Sequence, residues 1–269
     1  MTSEEKRGSF RALHAGAGAF LIGNAWDAGS ARMLAALGFP ALATSSGACA
    51  GTLGRRDGKV TREEALAHAR AIVAASDLPV SADLEKGFAD APREAAETYR
   101  LASQIGLAGA SIEDASGDTD KPIFDFGLAL DRVAAAVEAS RASGLVLTAR
   151  TESFLRGRAD LDDTIRRLQA FEKAGADVLM APGLPDLDSV RAVCAALNKP
   201  FNFMAGIRGK SFSVPELEAA GVKRISLATS LYRVAMTGLL EAAREVKERG
   251  SFGYLERTIG TPDLNKLLD

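Results

Sequence analysis

The feature that most constrains the fold is a regular alternation of short β-rich runs and longer amphipathic runs along the chain. The eight β-rich runs are residues 20–23, 41–45, 80–85, 110–114, 146–151, 178–181, 201–204 and 225–228. Helix-like segments such as 92–105, 128–143, 160–174 and 186–197 lie between them. Alternating strands and helices predict parallel pairing with right-handed crossovers. Eight such units in a chain of 269 residues predict a closed (β/α)8 TIM barrel.

A doubly wound open sheet is the alternative fold of the same class. It would favour a Gly-x-Gly-x-x-Gly turn after the first strand, whereas residues 23–28 contain a single glycine, Gly23. Helix starts are marked by the capping-box spacing of Thr61 with Glu64 and of Ser213 with Glu216. These signals fit the repeated strand–helix unit, so the barrel is the favoured prediction.

Two segments lie outside the eight units. Residues 1–15 predict a helix laid over one end of the barrel, and residues 250–269 contain a further helical stretch. The second segment carries Phe252, Tyr254 and Leu255, which need an apolar surface to cover them. No linker or repeat separates these segments from the rest, so we expect one domain over residues 1–269.

Composition excludes several classes of function. A formal net charge of −2 gives no basic field for nucleic acid, and no apolar run reaches the roughly 20 residues of a membrane span. The first seven residues have no apolar core, so we expect no secretory signal. Two cysteines fit a reducing, cytoplasmic location. His14 and His68, the only histidines, are interpreted as residues of solvated helix faces.

Acidic residues cluster where the β-rich runs end. Asp83 and Glu85 close the third run, Glu113 closes the fourth, and Asp57 ends the glycine-rich stretch after the second. Asp83 and Glu85 are two positions apart, which on a strand places them on one face. Carboxylates converging at the C-terminal rim of a barrel predict a hard-cation site, and Mg²⁺ suits oxygen ligands. The alternative is that these acids pair with Lys86, Arg150 or Arg55.

The same rim offers groups that could bind an anionic substrate. Arg150 ends an apolar run, where a guanidinium favours a planar anion such as a carboxylate. Ser45, Ser46 and Gly47 could present successive backbone N–H groups to a carboxylate, although an ordinary strand-to-loop turn is an equal alternative. Asn202 would add an amide donor across the barrel. We therefore assign these residues, together with Trp26 at the end of the first run, to substrate binding.

Taken in order, these motifs resemble the isocitrate lyase/phosphoenolpyruvate mutase superfamily. The motifs are 24–32 (Asn-Ala-Trp-Asp-Ala-Gly-Ser-Ala-Arg), 44–47 (Thr-Ser-Ser-Gly), 54–58 (Gly-Arg-Arg-Asp-Gly), 82–88 (Ala-Asp-Leu-Glu-Lys-Gly-Phe), 112–114 (Ile-Glu-Asp), 148–152 (Thr-Ala-Arg-Thr-Glu) and 202–204 (Asn-Phe-Met). The resemblance spans nearly the whole chain. It implies a (β/α)8 barrel whose last helix is exchanged between subunits, assembled as a homotetramer that is a dimer of dimers.

The resemblance also implies a site chemistry. Mg²⁺ would be bound mainly by Asp83, with Asp57, Glu85 and Glu113 reaching it through water. The substrates would be small 2-oxo or 2-hydroxy carboxylates, converted through an enolpyruvate-type intermediate. The metal and the segment Ser45–Gly47 would stabilise the enolate, Arg150 would hold the carboxylate, and Asp57, Arg150 and Glu113 would form the catalytic set.

The segment 115–126 departs from the superfamily pattern. The isocitrate and methylisocitrate lyases carry a Lys-Lys/Arg-Cys-Gly-His sequence there, whereas this segment has neither cysteine nor histidine. The mutases use a lysine and an asparagine, of which only Lys121 is present. Glu85 replaces the usual aspartate and Arg56 the usual proline. We expect the segment to be a mobile lid in which Ile123, Phe124 and Phe126 close over a ligand.

Three functional hypotheses follow from the sequence. The leading one is a Mg²⁺-dependent carbon–carbon lyase or decarboxylase-like enzyme acting on a small 2-oxo or 2-hydroxy di-acid. The second keeps the fold but changes the reaction to phosphoenolpyruvate mutation or phosphonopyruvate hydrolysis. The third, of another class, is a carboxylate-binding protein with little turnover.

Overall fold

A computed structural model, which describes residues 1–268, contains a closed barrel of eight parallel strands in sequence order. The strands are β1 (Phe20–Asn24), β2 (Leu42–Ala43), β3 (Val80–Asp83), β4 (Gly109–Glu113), β5 (Val146–Arg150), β6 (Val178–Met180), β7 (Phe201–Met204) and β8 (Arg224–Ser226). Each lies at or beside a predicted run, and β1 pairs with β8 to close the barrel. The TIM-barrel prediction is therefore confirmed, although β2 is shorter than the run 41–45.

Helices surround this barrel in the order expected for repeated strand–helix units. They are α1 (Ser3–Ala15), α2 (Ala28–Ala36), α3 (Ser46–Thr52), α4 (Arg62–Ala75), α5 (Pro92–Gln104), α6 (Phe126–Arg141), α7 (Leu161–Ala174), α8 (Leu187–Ala195), α9 (Val214–Ala219), α10 (Ser230–Arg249) and α11 (Thr261–Lys266). The Thr61 side chain accepts from the Glu64 N–H to start α4, and the Ser213 N–H donates to Glu216 before α9. Both predicted helix starts are confirmed.

The hydrophobic core lies between the strands and the helices. Outward-facing strand residues such as Ile112 and Leu179 pack against helix residues such as Tyr99 and Phe171. The inward positions are different, since several are small or polar. Ala43, Ser81, Ser111, Asn202 and Ser226 line an open interior. A barrel of this class is normally filled by bulky side chains. The alternation of large outward and small inward residues therefore leaves space inside this one.

Helix α1 closes the N-terminal end of the barrel, as predicted for residues 1–15. Phe10 is fully buried against the strand residues Ile22, Val146 and Val178. The Arg7 guanidinium donates to the carbonyl oxygens of Ser103, Leu107 and Ser143, at 2.6, 3.0 and 2.7 Å. Those carbonyls belong to α5, the segment before β4 and the segment after α6, so one side chain joins α1 to two strand–helix units.

Both histidines differ from the prediction of solvated helix faces. His14 is buried beside Phe10 and Phe20, because α1 turns this position toward the barrel. Its Nδ1 lies 2.8 Å from the Phe10 carbonyl oxygen. His68 is half-buried, and its Nε2 lies 2.7 Å from the carbonyl oxygen of Trp26. Burial lowers the pKa of both imidazoles, that of His14 to about 3.

The C-terminal part of the chain leaves its apolar side chains uncovered. Helix α10 is twenty residues long and has no buried residue. Leu239 on this helix is 61% exposed, and Phe252 and Leu255 beyond it are also exposed. The single chain therefore does not supply the cover that Phe252 and Leu255 need, and the exchange of a helix between subunits stays a prediction.

A membrane-spanning segment is not found among the helices of residues 1–268, none of which combines the necessary length with sufficient apolar character.

We predict that Arg7→Ala lowers the free energy of unfolding by about 1–3 kcal/mol, because three partly buried carbonyls lose a charged donor. The measurement is urea unfolding followed by circular dichroism. Arg11→Ala is the matched control, since Arg11 lies on the same helix and makes one exposed bond, to the Gly144 carbonyl at 3.0 Å. Equal midpoints for the two variants would contradict the bracing role of Arg7.

Candidate active site

A cavity of about 880 Å³ opens at the C-terminal ends of the strands and continues into the barrel. Most of the predicted site residues line it, namely Ser45, Ser46, Asp57, Asp83, Glu85, Glu113, Arg150 and Asn202. Trp26 and Gly47 do not. The barrel therefore brings these predicted side chains together from five of the eight strand–helix units.

Arg150 is the centre of the site. Its guanidinium makes ion pairs with Asp83 at 3.2 Å, with Glu152 at 3.1 Å, and with Glu113. Strand register explains the contact with Glu113, because the two residues are direct partners on β4 and β5. Burial would lower the pKa of Arg150, but Asp83, Glu113 and Glu152 raise it well above its ordinary value. The guanidinium therefore stays charged, and it pairs with the acids as the alternative interpretation proposed.

Asp83 is the best-supported carboxylate of the site. Its oxygens accept from the backbone N–H groups of Ser46 and Glu85, each at 3.2 Å, and from the Ser111 hydroxyl at 3.4 Å. Burial would raise the pKa of Asp83, but Arg150 and these two N–H groups bring it below its ordinary value. Asp83 is therefore an ionised, fixed carboxylate with oxygen lone pairs directed at the cavity rim.

Glu85 lines the cavity as predicted, but it does so from a turn after β3 and not as a residue of the strand. Strand β3 ends at Asp83, and Glu85 has a φ of +49°, in the left-handed region. The strand periodicity used to place it beside Asp83 does not extend this far, so that argument was wrong although both side chains line the cavity. Burial, with repulsion from Asp83 and Asp57, raises the pKa of Glu85 to about 7.

The neighbouring acids Glu113 and Asp114 have separate roles because successive strand residues face opposite sides. Glu113 points into the cavity, and burial together with Glu152, Asp83 and Glu85 raises its pKa well above the ordinary value despite Arg150. Asp114 points outward, where it pairs with Arg167 of α7 at 3.3 Å and accepts from the Glu152 N–H at 2.8 Å. Asp114 thus fixes the segment after β5.

Asp57 lies on an exposed loop at the mouth of the cavity. A Cβ atom added to Gly47 would lie 3.3 Å from the Asp57 carboxylate oxygen Oδ2 and 3.4 Å from Thr229. The absence of a side chain at Gly47 therefore lets this loop approach α3. Asp57 also contributes to the raised pKa of Glu85, so the two carboxylates are close enough to repel each other.

The segment Ser45–Gly47 starts helix α3 and serves the acids of the site. The Ser46 N–H donates to Asp83, and the Ser45 hydroxyl lies 3.2 Å from the hydroxyl of Thr229. One of the N–H groups predicted to receive a substrate carboxylate is thus occupied by a protein carboxylate. Binding of a substrate carboxylate by successive N–H groups of this segment stays a prediction.

Two predicted binding residues lie away from the rim. The Trp26 indole packs edge-on against Tyr232, with ring centroids 5.8 Å apart, and does not line the cavity. Asn202 was expected at the rim, but it is the second residue of β7, which ends at Met204, so it lies deeper inside the barrel. Its amide nitrogen lies 3.2 Å from the Ser226 hydroxyl, and its buried Oδ1 has no hydrogen-bond partner.

The segment 115–126 is attached to the core by the apolar residues that were expected to form a lid. Ala115 and Ile123 form an antiparallel bridge, and Ile123 and Phe124 are buried. The Arg132 guanidinium lies 4.4 Å from the centroid of the Phe124 ring. The expectation that Ile123 and Phe124 close over a ligand was therefore wrong, because they belong to the core. Movement of the exposed tip, 117–121, stays a prediction.

Sequence reasoning missed three groups that shape the site. Glu152 is buried against Arg150, Ser111 supports Asp83, and Arg156 at the mouth lies 3.7 Å from Glu152. Glu152 could have been found, since it follows Arg150 by two positions in an acid-rich rim. Ser111 carried no such signal. Within residues 1–268, no three His, Cys, Asp or Glu side chains are close enough together to form a metal site by themselves.

The chain is similar to known proteins over most of its length. The family model described as phosphoenolpyruvate phosphomutase matches residues 10–247. A crystal structure from Burkholderia cenocepacia J2315, described as a lyase/mutase, is 48% identical, with a TM-score of 0.95 over 98% of this chain and 95% of that one.

Two further proteins have descriptions that name an activity. An oxaloacetate decarboxylase of Bradyrhizobium diazoefficiens is 30% identical over 84% of this chain and 80% of its own. The crystal structure of 2,3-dimethylmalate lyase, described as a member of the PEP mutase/isocitrate lyase superfamily, is 27% identical. Its TM-score is 0.88, over 100% of this chain and 95% of that one.

Proposed function

Because the chain belongs to the phosphoenolpyruvate mutase family, we propose that it is a Mg²⁺-dependent carbon–carbon lyase acting on a small 2-oxo or 2-hydroxy di-acid. The observation that carries the proposal is Arg150, a charged guanidinium buried among Asp83, Glu113 and Glu152 at the rim of the cavity. The similar proteins named for oxaloacetate and for 2,3-dimethylmalate support this substrate class, since one name is of a 2-oxo di-acid and the other of a 2-hydroxy di-acid.

The donor set at the rim fits Mg²⁺. Carboxylates of Asp57, Asp83, Glu85 and Glu113 face one cavity, and burial together with the neighbouring carboxylates raises the pKa values of Glu85 and Glu113 despite Arg150. Oxygen donors and room for water are what Mg²⁺ requires. Asp83 would hold the ion, with Asp57, Glu85 and Glu113 acting through water. When bound, Mg²⁺ would polarise the oxygens of the 2-oxo or 2-hydroxy carboxylate.

The chain's own residues have distinct roles in the proposal. Arg150 donates two N–H groups to the substrate carboxylate, the geometry for which a guanidinium is suited. Glu113, whose pKa is raised by burial, faces the reacting oxygen and exchanges a proton with it. Asp57 faces the part of the substrate nearest the mouth. The Ser45 hydroxyl and the Asn202 amide, which line the cavity, orient the ligand.

Phosphoenolpyruvate mutation is the second candidate, because the matching family model describes a phosphomutase. The segment 115–126 offers Lys121 but no asparagine, which weakens this candidate. A carboxylate-binding protein with little turnover is the third, since the same segment lacks the cysteine of the isocitrate lyases. Assays of turnover and binding with one set of substrates distinguish these three candidate functions.

We predict that the protein with Mg²⁺ cleaves at least one of oxaloacetate and the alkyl-substituted malates, measured as release of 2-oxo acid or CO₂. Arg150→Lys should weaken oxalate binding by roughly 1.5–3 kcal/mol, because lysine loses the bidentate geometry. Arg156→Lys is the control, since Arg156 contacts the same acids but is 46% exposed. Turnover of phosphonopyruvate alone would favour the second candidate, and oxalate binding without turnover the third.

We predict that Asp83→Asn abolishes Mg²⁺ binding measured by calorimetry, because a neutral amide removes the one carboxylate that is fixed by two backbone N–H groups. Asp90→Asn is the matched control, since Asp90 lies on the surface and pairs with Lys86 at 2.6 Å. Retention of full Mg²⁺ affinity in Asp83→Asn would contradict the assignment of the site.

We propose that the subunits form a homotetramer, a dimer of dimers, in which α10 and the segment after it are covered by a neighbour. The uncovered apolar side chains of α10, including Leu239, support it. Light scattering of the full chain should give four subunits. Leu239→Glu, or a chain ending at Arg249, should lower that mass. Leu37→Glu should not, although Leu37 is equally exposed at 67%. A monomeric full chain would contradict the proposal.

A further inference from the structure

Arg224 is a second buried arginine of the barrel, and it lies apart from the acids of the rim. It projects inward from β8, lines the same cavity and is 4% exposed. One terminal nitrogen lies 3.4 Å from Nε2 of His14, and the other donates to the Thr148 hydroxyl at 3.1 Å. The centroid of the Phe10 ring, on α1, lies 5.9 Å from the guanidinium carbon Cζ of Arg224. Arg224 therefore belongs to the half of the cavity that α1 closes.

No carboxylate in residues 1–268 lies within 4.0 Å of Arg224. Two other arginines are paired with acids, Arg150 with three of them and Arg167 with Asp114 and Asp163. Buried Arg132 has no acid partner but is held by three backbone carbonyls. The Nε–H of Arg224 also has no hydrogen-bond partner. An isolated buried charge is costly, and proteins normally pair such charges. The surroundings of Arg224 therefore leave both its charge and one donor without compensation.

The residues that touch Arg224 do not neutralise it. The Nδ1–H of His14 donates to the Phe10 carbonyl. Nε2 therefore carries no proton, and its lone pair accepts from the Arg224 guanidinium. Burial and the charge of Arg224 lower the pKa of His14 to about 3, so this imidazole is uncharged at neutral pH. Burial also lowers the pKa of Arg224, to about 9, which still leaves it protonated at pH 7. The positive charge is therefore retained.

We propose that the closed half of the cavity binds a small monovalent inorganic anion, of which chloride is the example, against the Arg224 guanidinium. A single guanidinium without a second cation matches a single negative charge. The neighbouring cavity wall is polar, since Asn202 is the direct strand partner of Arg224 and Ser226 lies two positions further along the same face. This anion is not a substrate, and the proposal does not depend on the proposed lyase activity.

The location of the site affects how the anion enters it. Helix α1 closes one end of the barrel, and the carboxylates of Asp83, Glu85 and Glu113 line the approach from the other. An anion that reaches Arg224 passes these carboxylates. Because the site exists only in the folded chain, binding of the anion contributes directly to the folding equilibrium.

The test is unfolding at equilibrium, with chloride replacing gluconate at constant ionic strength. Chloride at ten times its dissociation constant should raise the folding equilibrium constant of the natural chain about tenfold, in a saturable manner. Arg224→Met should remove this dependence. Arg132→Met should retain it, because Arg132 is equally buried with an unpartnered Nε but is held by the carbonyls of Lys86, Ala89 and Asp90. The same chloride response in Arg224→Met as in the natural chain, or none in the natural chain, would overturn the proposal.

A second measurement uses the natural chain and so does not depend on the folding of a variant. Crystals grown with bromide should show an anomalous-scattering peak within hydrogen-bonding distance of the Arg224 guanidinium. Water alone at that position, in crystals grown with bromide, would reject the anion site.

Discussion

The ion pairs of Arg150 are the interaction on which the rest of the site depends. Five carboxylates face or border one cavity rim, and within residues 1–268 this guanidinium is the only cation buried among them. It allows Asp83 to remain ionised where burial alone would favour its neutral form. It compensates Glu113 less completely, so the two acids have shifted pKa values of opposite direction. Because of this one arginine, Asp83 stays ionised while Glu113 can carry a proton. Acid–base chemistry requires carboxyl groups of both kinds.

The barrel could be predicted from sequence because its signals are local and repeated. Eight β-rich runs, each with turn chemistry beside it, leave few ways to pair, and parallel pairing in sequence order then brings their ends together. Asp83, Glu113 and Arg150 could be placed at the rim for the same reason. Each of them terminates its strand, so its position depends only on the register of neighbouring strands.

The parts that could not be predicted depend on contacts between distant segments or on backbone conformations outside regular structure. Glu85 lies beyond the end of its strand with a left-handed φ, which period-two reasoning does not foresee. His14 is buried by the way α1 crosses the barrel, and the surface it meets comes from β1 and β8. Asn202 was misplaced at the rim, although it is only the second residue of the correctly predicted run 201–204 and two strand residues follow it. In the 115–126 segment, the apolar residues that suggested a closing lid are instead those that attach it to α6.

The small side chains inside the barrel have a consequence for how this scaffold can change. Ala43 and Ser81 face the open interior below the acidic rim, and neither supplies a charge to the site. A larger side chain at either position would occupy empty space from below and make the pocket shallower. The acids and Arg150 would keep their strand positions and their partners. Pocket depth and rim chemistry are thus encoded at different sequence positions, so the size of an accepted molecule can vary independently of the reaction carried out on it.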